Sequence, residues 1–195
     1  VDLGRDLHFI TRTTIDTLDY SGISLNQGSK LIVAACGAKK RELPLRLPSD
    51  SICYRCFPPG FGKIKFFAPG IVVLQGPEHK QKRDTHDPEL KKLAAFLEET
   101  KELKDFPLLV VVDDSEFASS NWDNFLWVVF TRSDPATDIY GAGEFIHCKH
   151  WGCSGPLIID ARLKSYYAPP LVDDPEIEKK VDKLGEPGGP LYGII

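Results

Sequence analysis

The order of three segments constrains the fold more than any other feature of this chain. Ile71-Val-Val-Leu-Gln75 and Leu108-Leu-Val-Val-Val112 are short apolar runs, the first closed by Gly-Pro and the second by paired aspartates. Such runs read as strands buried on both faces. Between them stands Asp87-Pro88, an N-cap with proline at the first helical position. Leu90, Leu93, Ala94 and Leu97 follow at helical spacing, so a helix is expected over about 88–104. Strand, helix, strand requires a crossover, and a crossover sets the two strands parallel in one sheet. The expected fold class is α/β, a mixed β-sheet flanked by helices.

Further elements fit this frame. Leu3, Leu7 and Ile10 suit one face of a helix at the start of the chain, and Ile15 to Gly22 alternates as a strand would. Lys30 to Gly37 reads as another strand buried on both faces, and Ser51 to Phe57 and Lys63 to Phe67 as short ones. Asn121 or Ser120 caps a helix in which Trp122, Phe125, Leu126 and Val129 share one face while Trp127, Val128 and Phe130 crowd the rest. A helix apolar nearly all round needs cover on more than one side, so Trp122, Phe125, Trp127 and Phe130 are interface candidates and a homodimer is expected. Asp138 to Gly143 and Leu157 to Asp160 read as two more strands, and Pro175 to Leu184 as a charged helix.

With 195 residues, one domain over 1–195 is expected, its tail irregular from about 185, where Gly-Glu-Pro-Gly-Gly-Pro begins. The net charge of -4, with basic residues dispersed among acidic ones, lacks the footprint of a nucleic-acid binder. No run reaches the roughly 18 apolar residues of a membrane span, and no secretory signal opens the chain. A soluble, cytoplasmic protein is expected, with neither nucleic acid nor membrane as partner. Five cysteines, an odd number in a chain of this size, read as reduced thiols rather than a disulfide framework.

Several groups invite a chemical reading, each beside a plainer one. Cys53 and Cys56 have the two-residue gap of a zinc knuckle, and His150 and Cys153 could complete a tetrahedral site. The plainer alternative is a chance spacing beside a loop rich in soft side chains, since the second half lacks the paired spacing. His147, Cys148, His150, Trp151 and Cys153 are candidates for a loop that faces a ligand, and a cysteine beside a histidine could be an activated thiol. Asp113 and Asp114 end a parallel strand, where α/β sheets place ligands, yet capping the next helix explains them more simply. Arg132, Asp134 and Asp138 are read as a structural corner, an arginine gripped by two carboxylates, the alternative being that Arg132 binds the carboxylate of an acid substrate. Gly60-Phe-Gly62 and Gly141-Ala-Gly143 lack the third glycine or the lysine of a phosphate loop, and no serine elbow is present.

Leu109-Val-Val-Val-Asp-Asp114, Asn121-Trp-Asp-Asn-Phe-Leu-Trp127, Thr131-Arg-Ser-Asp-Pro-Ala-Thr-Asp138 and Leu157-Ile-Ile-Asp-Ala-Arg-Leu-Lys164 follow one another in an order that resembles the C-terminal domain of the UbiD-like aromatic-acid decarboxylases. The resemblance spans Leu108 to Lys164 and continues into the Glu176 to Leu184 helix. Arg162 stands where that family has threonine. The resemblance implies an enzyme family whose prenylated flavin mononucleotide, metal ion and Glu-Arg-Glu catalytic residues sit in an N-terminal domain with no counterpart here. It therefore implies a stand-alone accessory or oligomerisation module with no catalytic residues and no cofactor of its own. Prenylated FMN would enter only through a UbiD-type flavin-domain subunit. The other function class is an independent small-ligand protein or enzyme built on residues 147–153, with zinc as an option.

Overall fold

A computed structural model of the chain describes residues 7–13, 28–34, 37–48, 57–82, 85–167 and 174–194. Its centre is a five-stranded mixed sheet built from β3, Gly62–Ala68, β4, Ile71–Gln75, β5, Leu108–Val112, β6, Ile139–Gly141, and β9, Leu157–Asp160. Across the sheet they stand in the order β3-β4-β5-β9-β6. Strands β4, β5 and β9 run parallel, and the antiparallel β3 and β6 close the two edges. The crossover expected between β4 and β5 is made by helix α1, Pro88–Thr100, whose N-cap Asp87 accepts from the Glu89 N–H at 2.8 Å. The helix stops at Thr100, short of 104, because Lys101 turns left-handed at φ 58°.

Successive strand residues point to opposite faces of the sheet, so each apolar run feeds two cores. Val72, Leu74, Leu109, Val111 and Ile158 meet Leu90, Leu93 and Leu97 of α1. Val73, Val110, Val112 and Ile159 meet Ala118 of α2, Ser115–Ser119, and Phe125 and Val128 of α3, Trp122–Arg132. This double cover is why β4 and β5 are continuously apolar. Gly76 follows β4, donating its N–H to Val112 O at 2.9 Å. A Cβ there would lie 2.6 Å from Val111 Cγ1 and 3.1 Å from Arg162 Cδ. Gly76→Ala is expected to cost about 1–3 kcal/mol through overpacking, read from urea unfolding midpoints.

The opening segment departs from its helical reading. Leu7–Thr13 is strand β1, paired antiparallel with β2, Gly28–Val33, in a separate hairpin. Pairing of Leu7 with Val33 and Phe9 with Leu31 outweighs a three-and-four spacing carried by only three residues. Strand β2 is also not buried on both faces, since Ile32 and Val33 are exposed while Leu31 packs on the second core. A two-stranded hairpin laid on a larger sheet has only one inner face. The stretch expected as a strand at 15–22 lies outside the described residues, as does that at 51–57 except for Phe57, which is not in a strand. Helix α4, Pro175–Gly185, forms where expected and buries none of its residues.

Candidate functional site

Three parallel strands deliver their carboxyl ends to one edge of the sheet, the place where α/β folds commonly bind ligands. Strand β9 ends at Asp160, Ala-Arg162-Leu-Lys164 follows directly, and Asp160, Arg162 and Lys164 are almost fully buried. The Arg162 guanidinium forks onto Asp160, Nε to Oδ1 and Nη2 to Oδ2, both at 2.8 Å. Its Nη2 also donates to Asp87 Oδ2 at 2.6 Å, and its Nη1 donates to Pro77 O at 2.8 Å. Lys164 Nζ donates to Asp160 O at 2.9 Å and lies 3.3 Å from Asp138 Oδ2. Asp87 thus caps α1 with one oxygen and holds Arg162 with the other, tying helix to sheet. Tyr140 of β6 joins the cluster by accepting the Asp87 N–H at 2.9 Å.

Protonation follows from this packing. Burial raises the Asp160 carboxyl, but the Arg162 hydrogen bonds and the charges of Lys164 and Arg162 outweigh it, leaving it below the ordinary carboxylate range. Burial pulls the His79 imidazole down and Lys164 pulls it further, so the ring is held towards its neutral form. His79 is buried and its Nδ1 has no hydrogen-bond partner. His79, Asp87 and Asp160 offer ligand atoms within 4.8 Å of one another, a donor set of the type that takes a divalent cation. Arg162 makes the contacts with both carboxylates that such a cation would make, so the positive charge is built into the chain.

Asp138 behaves differently. Burial pushes its carboxyl from 3.8 up to about 6, against the pull of Lys164 and the Asp134 N–H. Its contribution to stability is complete below the ordinary carboxylate range and is lost as pH rises through about 6. Asp160, with its lowered value, works in the opposite direction at lower pH. Asp138→Asn is therefore expected to remove about 2 kcal/mol of pH dependence between pH 4 and 7. Urea midpoints of the variant and the native chain at pH 4.5 and 7 measure it.

Arg132, Asp134 and Asp138, expected to hold one another as a corner, have other partners. Arg132 Nη1 pairs with Asp113 Oδ2 at 2.9 Å rather than with Asp134 or Asp138. Asp138 instead accepts the Asp134 N–H at 2.7 Å, and Asp134 accepts from Ser29 Oγ and from the Ala136 N–H. Ser29 is in β2, so this contact pins the β1–β2 hairpin to the turn after α3. Asp114 caps α2 by accepting from Glu116 N and Phe117 N, and Asp113 also accepts the Leu163 N–H at 2.7 Å. Both aspartates thus have the plainer, structural role.

The Cys/His-rich stretch is a β-hairpin and not a loop. Strands β7, Glu144–His147, and β8, His150–Cys153, pair antiparallel, and Cys148 and Lys149 turn the chain with φ of 50° and 68°. His147, Cys148 and His150 are exposed, while Trp151 packs edge-on against Phe9 at 5.5 Å. His150 and Cys153 stand three apart on one strand and so face opposite sides, one exposed and the other buried. They do not converge on a metal, and Cys53 and Cys56 lie outside the described residues. Burial pushes the Cys153 thiol up to about 12, with Glu144 adding to the effect, so it is no activated nucleophile. Gly60 opens the turn before β3, and the Cβ positions of Gly141 and Gly143 are filled by Cys153 and Ser154.

Helix α3 divides its aromatic residues between core and solvent. Phe125 stacks on Phe67 with ring centroids 4.1 Å apart and is 5 % exposed, so it belongs to the core and not to an interface. Trp122, Leu126 and Phe130 follow one another at i, i+4 on the outer face, with Trp127 beside them. Trp127 is 61 % and Phe130 72 % exposed. Exposed aromatics so closely grouped form the type of surface that other proteins cover.

Fold and site together define an α/β domain with a sealed ionic centre and an open aromatic helix. Comparison with known proteins carries this further. A sequence profile for the 3-octaprenyl-4-hydroxybenzoate carboxy-lyase C-terminal domain, UbiD_C, matches residues 1–35. That span holds β1 and β2, where the sequence itself carries little of the resemblance. A relative from Chlamydia trachomatis, described only as uncharacterized, is 33% identical over 184 residues, or 94% of this chain and 28% of its own length. A Chlamydia pneumoniae protein named as a subunit of 4-hydroxybenzoate decarboxylase is 31% identical over 181 residues, 92% of this chain and 28% of its own. Vanillic acid decarboxylase of Sedimentibacter hydroxybenzoicus superposes loosely, at 17% identity and a TM-score of 0.43, over 69% of this chain and 31% of that one. The chain is UbiD-like, and the likeness is to the C-terminal domain of that family. It spans about 28% of the length of the curated relatives that it matches.

The buried cluster of Asp87, Asp160, Arg162 and Lys164 escapes a motif search because it unites residues up to 77 positions apart. A local signal does exist: Asp160, Arg162 and Lys164 place charge at every second position from the last residue of an otherwise apolar strand. No helix among the described residues is long and apolar enough to cross a membrane.

Proposed function

We propose that the chain is an assembly module of UbiD type, one C-terminal-like domain that pairs with a second copy through the outer face of α3. In this reading it serves the carboxylation or decarboxylation of aromatic or unsaturated acids only together with a flavin-binding domain. That partner supplies the prenylated FMN and the Glu-Arg-Glu residues. The observation that carries the reading is the exposed stripe of Trp122, Leu126, Trp127 and Phe130 on a domain whose buried charges at Asp87, Asp160 and Arg162 are spent on one another. The name of the Chlamydia pneumoniae relative, a decarboxylase subunit, supports the assignment to this chemistry.

Copurification with a flavin-binding UbiD-type domain from the same source is the test. A stable complex, or decarboxylation that depends on this chain, is expected. If neither appears, the module reading fails. The independent-enzyme reading finds less support, because His147, Cys148 and His150 stand open on a hairpin while Asp113 and Arg132 are paired with each other.

A further inference from the structure

Because β4, β5 and β9 are parallel, their amino ends lie at the opposite end of the sheet from the ionic cluster. A cavity of about 340 Å3 opens there, walled by Leu7, Val33, Leu43, Ile71, Leu108 and Leu157. Its volume lies at the lower end of the roughly 300–1,000 Å3 found for small-molecule sites, which combine apolar walls with a few polar groups. Hydrogen bonding of Gly70 N to Pro44 O at 3.1 Å pins residues 38–48 against the β3–β4 turn. That segment brings Arg41, the one charged residue of the lining among the described residues, to the cavity. Among the described residues, Arg41 makes no hydrogen bond or ion pair. Cys153 also lines the cavity, and its buried, protonated thiol behaves as a further apolar wall.

We propose that this cavity binds an amphiphilic organic anion, its compact apolar body against the aliphatic walls and its carboxylate on Arg41. A guanidinium left without a carboxylate at the edge of an apolar cavity supplies the forked donor pair such an anion needs. A cation of the same shape would be repelled, and a neutral analogue would gain the walls alone. Arg41 and Val33 are exposed, so substitutions there leave the core intact.

Calorimetric titration of the full chain with octanoate, octylamine and octan-1-ol tests this. Octanoate is expected to bind at least tenfold more tightly than either analogue. Arg41→Glu should weaken octanoate at least tenfold, and Val33→Trp, which adds bulk to the cavity wall, should abolish binding, both with unchanged circular dichroism. Equal affinity for all three probes, or an Arg41→Glu variant that binds octanoate as the native chain does, would overturn the proposal. So would octanoate affinity that falls as protein concentration and mass rise together, since a second copy would then be the occupant.

Discussion

Arg162→Met is expected to destabilise the chain by about 3–5 kcal/mol, the largest effect of any single substitution in the charged cluster. The substitution keeps much of the aliphatic volume beside Gly76 and removes the guanidinium. Asp87 and Asp160 are then left buried, with Lys164 as the remaining cation near Asp160. The cost comes from the stranded carboxylates rather than from the lost ion pairs as such, since a buried pair nearly breaks even against its own desolvation. Arg162→Lys should recover less than half, because a single ammonium cannot reach Asp160, Asp87 and Pro77 O together as the forked guanidinium does. Adding Asp87→Asn and Asp160→Asn to Arg162→Met should restore most of the loss. Urea unfolding at pH 7 reads all three. A loss below 1 kcal/mol for Arg162→Met would mean that the cluster is hydrated and not sealed.

The second large effect belongs to the surface. Trp127→Glu with Phe130→Glu should leave stability within about 0.5 kcal/mol, because both side chains lie in solvent in the isolated chain. Association should instead weaken by about 4 kcal/mol, roughly a thousandfold, as expected when two central aromatic contacts are lost from an interface. Phe125→Ala gives the opposite pattern. Its ring is stacked on Phe67 inside the core, so stability should fall by about 3–5 kcal/mol whatever the state of association. Helix α3 thus places a core aromatic and exposed aromatics within one turn of each other.

Much of the sheet was legible in the sequence because its strands are sealed on both faces. The runs at 71–75, 108–112 and 157–160 carry no competing polar pattern, and Asp87-Pro88 marks the start of α1 without ambiguity. Segments with one exposed face were harder to read. Leu3, Leu7 and Ile10 show helical spacing, but Leu7–Thr13 forms a strand, because pairing with β2 is a long-range gain that no local window contains. His147 to Cys153 looks like a ligand loop because its side chains are chemically soft, yet the register of Glu144 with Cys153 makes it a hairpin with two faces. The ionic cluster was hidden for a third reason: Asp87 caps a helix and Arg162 departs from a family motif, and only the fold brings the two within 2.6 Å.

Assembly through α3 underlies the function proposed for the chain, and light scattering of the native protein over a range of concentrations is its sharpest test. A mass twice that of one chain at micromolar concentration is expected, falling to that of a single chain in Trp127→Glu with Phe130→Glu. A native chain that stays at the mass of one copy at high concentration, with its aromatic helix open to solvent, would rule out assembly through this face.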